Sequence, residues 1–152
     1  MGFFRSFKYA GRGITLAVRE RNFRFHLCAA AFVIFFAARF YELSRGEWAV
    51  LLLTCGAVLS LEAVNTAIER LCDRVSTEQD SQIGAIKDIA AGAVLISAVI
   101  AAAVGVFLFW DTEKFREIVR FFASPLPLAG LIAAVAAAWA IVFLPDIIKR
   151  KK

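Results

Sequence analysis

Long apolar runs separated by short polar stretches dominate the chain, and a shorter amphipathic pattern precedes them. Each long run is close to the length of about 20 residues that an α-helix needs to cross the hydrocarbon core of a bilayer. The predicted spans are residues 23–41, 48–71, 87–110 and 121–144. Residues 2–21 carry apolar side chains at three- and four-residue spacing with basic residues between them. That spacing predicts a helix lying in the membrane interface, broken or softened near Gly11 and Gly13.

The composition agrees with a protein that is embedded in a membrane. Hydrophobic residues make up 61% of the 152 positions, which is far above the share in a soluble domain. Four spans with their connections use most of that length and leave no room for a second soluble domain. The predicted fold class is therefore an all-α integral membrane helical bundle.

The basic residues indicate topology and not a nucleic-acid partner, because they flank the apolar runs. Thirteen of the 18 Lys and Arg residues lie in residues 5–24, between the second and third spans, or in the tail. The positive-inside rule then places both termini and the 73–87 connection in the cytoplasm. An even number of spans is consistent with that arrangement.

The second apolar run carries a stripe of polar side chains. On a helix turning about 100° per residue, Glu62, Asn65, Glu69 and Asp73 fall within about 80° of one another. A buried carboxylate costs several kilocalories per mole, so a bound cation is the expected compensation. The alternative for Glu69 or Asp73 alone is simple solvation at the membrane surface.

The residues around this stripe favour phosphoryl transfer. Glu20 is predicted at the same interface, and Lys87 and Asp88 begin the third span. Carboxylates can hold Mg²⁺ on nucleotide phosphates, while a lysine neutralises phosphate charge. Spacing alone leaves two other classes open. One is a small four-span transporter that uses Glu62 as its coupling carboxylate, and the other is a structural or accessory membrane protein.

Two motifs in this order resemble a known family. The pattern Glu62-x-x-Asn-Thr-Ala-Ile-Glu69, followed by Lys87-Asp88-x-x-Ala, is similar to the signature of the small prokaryotic membrane diacylglycerol kinase/undecaprenol kinase family. Residues 20–26 resemble its Gram-positive branch, which phosphorylates undecaprenol. The resemblance covers about residues 3–110.

The resemblance implies a lipid kinase of the bacterial inner membrane that works as a homotrimer. Residues 1–110 would form a kinase-like domain with a surface helix and three spans. Residues 111–152 would add a fourth span with a basic cytoplasmic tail. That span could line the lipid entrance, pack against a neighbouring subunit or alter the oligomer. The reaction would move the γ-phosphate of ATP, with Mg²⁺, to undecaprenol, or alternatively to diacylglycerol.

The resemblance also implies roles for individual residues. Glu62 would be the general base for the lipid hydroxyl, and Glu20 and Glu69 would hold Mg²⁺. The residues expected to bind Mg-ATP or to lie near the nucleotide are Asn65, Asp73, Glu78, Gln79, Asp80, Lys87, Asp88, Arg5 and Tyr9. In this family the active site can include residues from more than one subunit.

Overall fold

The structure is a computed structural model that describes residues 3–75 and 80–150. Within these ranges every regular element is an α-helix, which confirms the predicted all-α class. The helices in chain order are α1 (Phe3–Ala17), α2 (Arg21–Phe40), α3 (Arg45–Val75), α4 (Ser81–Phe109), α5 (Thr112–Phe122) and α6 (Pro125–Arg150).

Four of these helices are long and apolar enough to cross a membrane, as the hydropathy pattern predicts. The candidate spans are Arg21–Phe40, Arg45–Val75, Ser81–Phe109 and Pro125–Ile148. Many of their large apolar side chains are exposed in the protomer, among them Phe107 and Ile89 on α4. Such surfaces suit contact with lipid chains or with other membrane-embedded helices.

The surface helix is shorter and more regular than predicted. α1 ends at Ala17. In the turn into α2, the backbone N–H of Arg19 donates a hydrogen bond to the Leu16 carbonyl, and that of Glu20 donates to the Ala17 carbonyl. α1 also runs through Gly11 and Gly13, so the break expected there is wrong. A helical glycine costs only about 1 kcal/mol relative to alanine, which the surrounding helix tolerates.

The polar connection between the second and third spans is also shorter than predicted. α3 continues to Val75, and α4 begins at Ser81 because Asp80 caps it by accepting a hydrogen bond from the Gln82 backbone N–H at 2.8 Å. α3 has 31 residues, and at 1.5 Å per residue it is about 46 Å long. Because the hydrocarbon core is only about 30 Å thick, the end of α3 extends into the interface.

The fourth span begins later than predicted. Phe121 belongs to the amphipathic helix α5, and α6 starts at Pro125. Proline is favoured at the first position of a helix, and it disfavours helical backbone at the preceding residue, Ser124. α6 then continues through Pro145.

The helices pack around α2 and α3. α3 packs most extensively against α4, while α2 contacts α3 on one side and α6 on another. α5 packs against the C-terminal end of α2, where the rings of Phe121 and Phe122 contact the ring of Phe40. The added fourth span therefore packs against the first span of its own chain.

Candidate active site

A polar cavity of about 300 Å³ lies where the α1–α2 turn, the second half of α3 and the end of α6 meet. In the described part of the chain, all residues that line it are polar or charged. They are Glu20, Arg21, Asn22, Glu62, Thr66, Glu69 and Asp146. We call this cavity the acidic pocket. It brings together the three residues for which general-base and Mg²⁺ roles were predicted.

Glu62 is the most buried carboxylate of the acidic pocket, with 3% of its surface exposed. It lies on one face of α3 with Thr66 and Glu69, at the four- and seven-residue spacing of a helix. Within the described ranges its carboxylate accepts no hydrogen bond. The carboxylate oxygens are not fully enclosed, because Glu62 lines the acidic pocket, so a ligand in the pocket can reach them.

Asn65 holds Glu69 in place. Its Nδ2 donates a hydrogen bond to Glu69 Oε1 at 3.0 Å, across one turn of α3. The Asn65 side chain is buried and lines the cleft between α3 and α4. It therefore does not line the acidic pocket. Its Oδ1 atom is buried without a hydrogen-bond partner, which leaves an acceptor free in that cleft.

Glu20 is fixed at the rim of the acidic pocket by an arginine of α3. Arg70 Nη2 donates to Glu20 Oε1, and the same atom lies 3.4 Å from the Leu16 carbonyl oxygen. Both members of the pair are partly exposed, so their attraction is screened by water. The contact ties the turn between α1 and α2 to α3, which positions Glu20 beside the pocket.

The other predicted nucleotide-binding residues form a second group near the α3–α4 connection. Lys87 of α4 donates to Asp73 of α3, and Asp88 is exposed next to it along the chain. Asp80 is the N-cap of α4, and its side chain already accepts a hydrogen bond from the Gln82 backbone N–H. The predicted stripe is therefore divided between the acidic pocket and the α3–α4 connection.

Four further residues were predicted to contact the nucleotide. Arg5 and Tyr9 are exposed on α1 and do not line the acidic pocket. Glu78 and Gln79 lie outside the residues that the structure describes. The roles of all four stay predictions.

Two charged residues that connect α2 to α6, Arg24 and Asp146, were given no role by the sequence-based predictions. Arg24 is buried, with 5% exposed, and its Nη2 donates to the Val142 carbonyl at 2.7 Å and to Asp146 Oδ2 at 3.1 Å. Its Nη1 donates to the Arg19 carbonyl. The available signal was Arg24, a charged residue inside the predicted first span, since such charges are normally paired. Asp146 follows the predicted end of the fourth span at residue 144, so the sequence pattern did not mark it as the partner.

The acidic pocket suits a magnesium ion that arrives with a nucleotide. Its carboxylates provide the oxygen ligands that Mg²⁺ prefers. In the described part of the chain, no three His, Cys, Asp or Glu side chains are grouped closely enough to hold a metal by themselves. Mg²⁺ commonly uses one or two carboxylates and completes its shell with substrate phosphates and water, so the residues fit this mode of binding.

Comparison with known proteins identifies the family. The model of the family described as prokaryotic diacylglycerol kinase matches residues 8–109. The chain is 44% identical over 108 residues to an undecaprenol kinase of Bacillus subtilis (strain 168), an alignment covering 70% of this chain and 87% of that protein. It is 41% identical over 102 residues to a diacylglycerol kinase of Synechocystis sp. (strain ATCC 27184 / PCC 6803 / Kazusa), covering 66% of this chain and 58% of that protein. No solved structure matches the chain significantly.

The matched residues begin within α1, include all of α2, α3 and α4, and end before α5. They therefore contain Glu20, Glu62 and Glu69, whereas Asp146 lies beyond them. The match removes the alternatives of a transporter and of an accessory protein. The chain belongs to the prokaryotic diacylglycerol kinase family, as its motifs predict, and it is a lipid kinase.

Proposed function

We propose that the acidic pocket transfers the γ-phosphate of ATP to the hydroxyl group of undecaprenol and so forms undecaprenyl phosphate. The observation that carries this proposal is the buried Glu62 carboxylate, which has no hydrogen-bond partner in the described ranges and faces the same cavity as Glu20 and Glu69. A base without a protein partner is available to a substrate hydroxyl.

Glu62 is the general base in this proposal. It takes the proton of the lipid hydroxyl as the hydroxyl oxygen forms a bond to the γ-phosphorus. The bond between that phosphorus and the bridging oxygen breaks, and ADP leaves with the electron pair. Since phosphoryl transfer depends mainly on positioning and charge stabilisation, one well-placed carboxylate at the acceptor is sufficient for the proton.

Glu20 and Glu69 are the proposed residues for Mg²⁺, which when bound neutralises charge on the ATP phosphates. Asn65 orients Glu69 through its hydrogen bond. Lys87 and Asp73, with Asp88 and Asp80 nearby, form the proposed nucleotide side of the site. Arg5, Tyr9, Glu78 and Gln79 are further proposed contacts of the nucleotide.

Undecaprenol is the preferred acceptor because of the relatives. The alignment with the undecaprenol kinase of Bacillus subtilis has 44% identity and covers 87% of that protein. The alignment with the Synechocystis diacylglycerol kinase has 41% identity and covers 58% of that protein. The first alignment is both closer and more complete, which supports undecaprenol over diacylglycerol.

The proposed setting is the bacterial inner membrane, with the acidic pocket on the cytoplasmic side where ATP is present. The distribution of basic residues supports this orientation. We further propose a homotrimer, in which exposed apolar faces such as those of α4 contact neighbouring copies. Residues 1–110 form the kinase domain in this proposal, and residues 111–152 are the addition.

The direct test offers purified protein γ-labelled ATP and Mg²⁺ with either undecaprenol or diacylglycerol in mixed micelles. Preferential labelling of undecaprenol is the expected result. Preferential labelling of diacylglycerol would keep the phosphoryl-transfer mechanism and overturn the choice of acceptor. Labelling of neither lipid would overturn the proposed activity.

A further inference from the structure

An apolar groove runs between the first and fourth spans, and we call it the α2–α6 groove. Its volume is about 610 Å³, and in the described part of the chain every residue that lines it is apolar. One wall is rich in phenylalanines of α2 and α5, namely Phe32, Phe35, Phe36, Phe121 and Phe122. The opposite wall belongs to α6, which lies outside the family-matched residues.

The wall on α6 consists largely of small residues, and they leave space in front of them. Gly130, Ala134 and Ala137 line the groove at the four- and three-residue spacing of one helix face. Such a face often allows two helices to pack closely. Here a Cβ atom added at Gly130 would meet no atom of a neighbouring helix within 4 Å. The face therefore borders open space along the middle of α6.

Contacts within the chain bound the groove at both ends. At the end near the acidic pocket, Arg24 of α2 donates hydrogen bonds to the Val142 carbonyl and to Asp146. At the other end, the ring of Phe36 contacts the ring of Phe122, with their centroids 5.9 Å apart. The lining on α6 extends from residue 127 to residue 141, a rise of about 21 Å. The groove is therefore long, narrow and of defined length.

These dimensions suit one hydrocarbon chain and exclude a helix. A helix about 10 Å wide and 21 Å long would occupy roughly 1,600 Å³, which is more than twice the volume of the groove. Spread over the same length, 610 Å³ gives a cross-section of about 30 Å². Since carbon atoms in contact lie about 4 Å apart, that area holds one methyl-branched chain. Both the volume and the apolar lining are typical of ligand sites between helices.

The groove leads towards the acidic pocket along the same pair of helices. On α6, Ala138 lines the groove and Asp146 lines the acidic pocket, and the two residues are about two turns apart on one face. On α2, Cys28 and Arg21 line the groove and the pocket in the same order. The hydrogen bonds of Arg24 lie between the two cavities. A chain in the groove therefore has its cytoplasmic end directed towards the proposed reaction site.

We propose that the α2–α6 groove binds the hydrocarbon chain of the acceptor lipid, and that it selects an alcohol with a single polyprenyl chain. This inference rests on the proposed kinase function and assigns recognition of the acceptor chain to the fourth span. The chain lies along the phenylalanine wall, and its hydroxyl end passes the Arg24 contact on the lipid-facing side to reach the acidic pocket. Diacylglycerol carries two chains, and a groove of this cross-section holds only one of them.

Photo-crosslinking of the wild-type protein tests the binding site without turnover. A long-chain prenyl alcohol with a diazirine at the end remote from its hydroxyl is irradiated with the protein in lipid nanodiscs, in the absence of ATP. Attachment to peptides that line the groove on α2 and α6 is expected. Excess undecaprenol is expected to prevent attachment, and excess phosphatidylglycerol is not. Equal competition by phosphatidylglycerol would show that ordinary bilayer lipid fills the groove, and attachment spread over other helix faces would equally overturn the inference.

A pair of matched variants tests the role of the groove in catalysis. Ala134→Phe fills the groove, whereas Ala136→Phe makes the same change about 200° around α6, at an exposed position outside the groove lining. Because pocket volume discriminates strongly between apolar ligands, Ala134→Phe is expected to raise the KM for undecaprenol roughly tenfold or more. Ala136→Phe is expected to keep the wild-type KM. Equal KM values in the two variants would contradict the proposal.

A short alcohol and a second filling variant separate the groove from the reaction site and from stability. Farnesol reaches only the cytoplasmic end of the groove, so its KM is expected to be unchanged in Ala134→Phe. Gly130→Leu fills open space and replaces a helical glycine, so it is expected to raise the KM for undecaprenol without lowering the unfolding temperature. Unchanged KM for undecaprenol in both filling variants of an active protein would overturn this inference alone. Wild-type protein that is crosslinked in the groove but phosphorylates no lipid would overturn the proposed function instead.

Discussion

Lys87 of α4 donates a hydrogen bond to Asp73 of α3, so a lysine proposed to bind phosphate is already paired with a carboxylate proposed to serve the same nucleotide. Both side chains are accessible, with exposures of 37% for Lys87 and 66% for Asp73. Such a pair contributes only about 0–1 kcal/mol to stability. The lysine can therefore exchange its carboxylate partner for phosphate at little cost to the fold.

Lys87→Met is expected to raise the KM for ATP more than it lowers kcat. A hydrogen bond to a charged group contributes about 1.5–3 kcal/mol, which corresponds to a change in KM of roughly 10- to 100-fold. The unfolding temperature is expected to remain near that of the wild type. Steady-state kinetics at varied ATP and a thermal melt in the same detergent provide the two measurements.

The charge-swapped protein Asp73→Lys/Lys87→Asp is the matched control for that prediction. It restores an ion pair between α3 and α4 but moves the positive charge to the other helix. ATP binding is expected to stay weak in the swapped protein. Recovery of the wild-type KM there would show that the pair supports the fold and that the position of the lysine is unimportant for phosphate.

Glu62→Gln is expected to lower turnover severely while leaving the protein folded. Removing a general base lowers kcat by about 10²- to 10⁴-fold. The unfolding temperature is expected to be unchanged or higher, because glutamine carries no charge in a side chain that is 3% exposed. Phosphate transfer to the lipid and thermal unfolding are measured together, with Glu117→Gln as an exposed control. Retained turnover would count against Glu62 as the base.

Asn65→Ala is expected to act through Glu69. Without the Asn65 hydrogen bond, Glu69 is no longer held in one orientation, and the Mg²⁺ concentration needed for half-maximal activity is expected to rise about tenfold. Activity is measured over a range of Mg²⁺ concentrations at fixed, saturating ATP. An unchanged Mg²⁺ dependence with weaker ATP binding would instead indicate that Asn65 contacts the nucleotide directly.

Much of the fold can be predicted from the sequence because a bilayer imposes strong constraints. A span must be helical and apolar, so the four runs and the all-α class follow from hydropathy alone. The common face of Glu62 and Glu69 follows from the helical period, since residues seven apart complete nearly two turns. The convergence of Glu20 on that face depends on the turn between α1 and α2.

The limits of prediction are equally physical. Helix ends that extend past the hydrocarbon core carry polar side chains, so Asp73 and Ser81 resemble loop residues although both are helical. The pairing of Arg24 with Asp146 joins helices that are far apart in the chain, and no periodicity specifies which helices become neighbours. Asn65 is a third example, because it does not line the acidic pocket although it belongs to the predicted stripe. Its position on α3 is rotated by about 60° from that of Glu62, and its side chain therefore lies towards α4.

Single cysteines test the proposed orientation of the membrane helices. Glu42, Ser81 and Thr112 are exposed residues in or beside the three connections between spans. Each is replaced by cysteine in a background where Cys28, Cys55 and Cys72, all free thiols, are changed to alanine. The background protein must retain phosphate transfer to a lipid, which shows that its fold is kept.

In sealed right-side-out membrane vesicles, a membrane-impermeant thiol reagent is expected to label Glu42→Cys and Thr112→Cys but not Ser81→Cys. The reason is that most of the basic residues lie in the N-terminal segment, in the connection that contains Ser81, and in the tail. Basic residues are retained on the cytoplasmic side of the membrane, so these three segments are expected on that side. Inverted vesicles are expected to give the opposite pattern. Labelling of Ser81→Cys from the outer face would reverse the orientation and would place the acidic pocket away from cytoplasmic ATP.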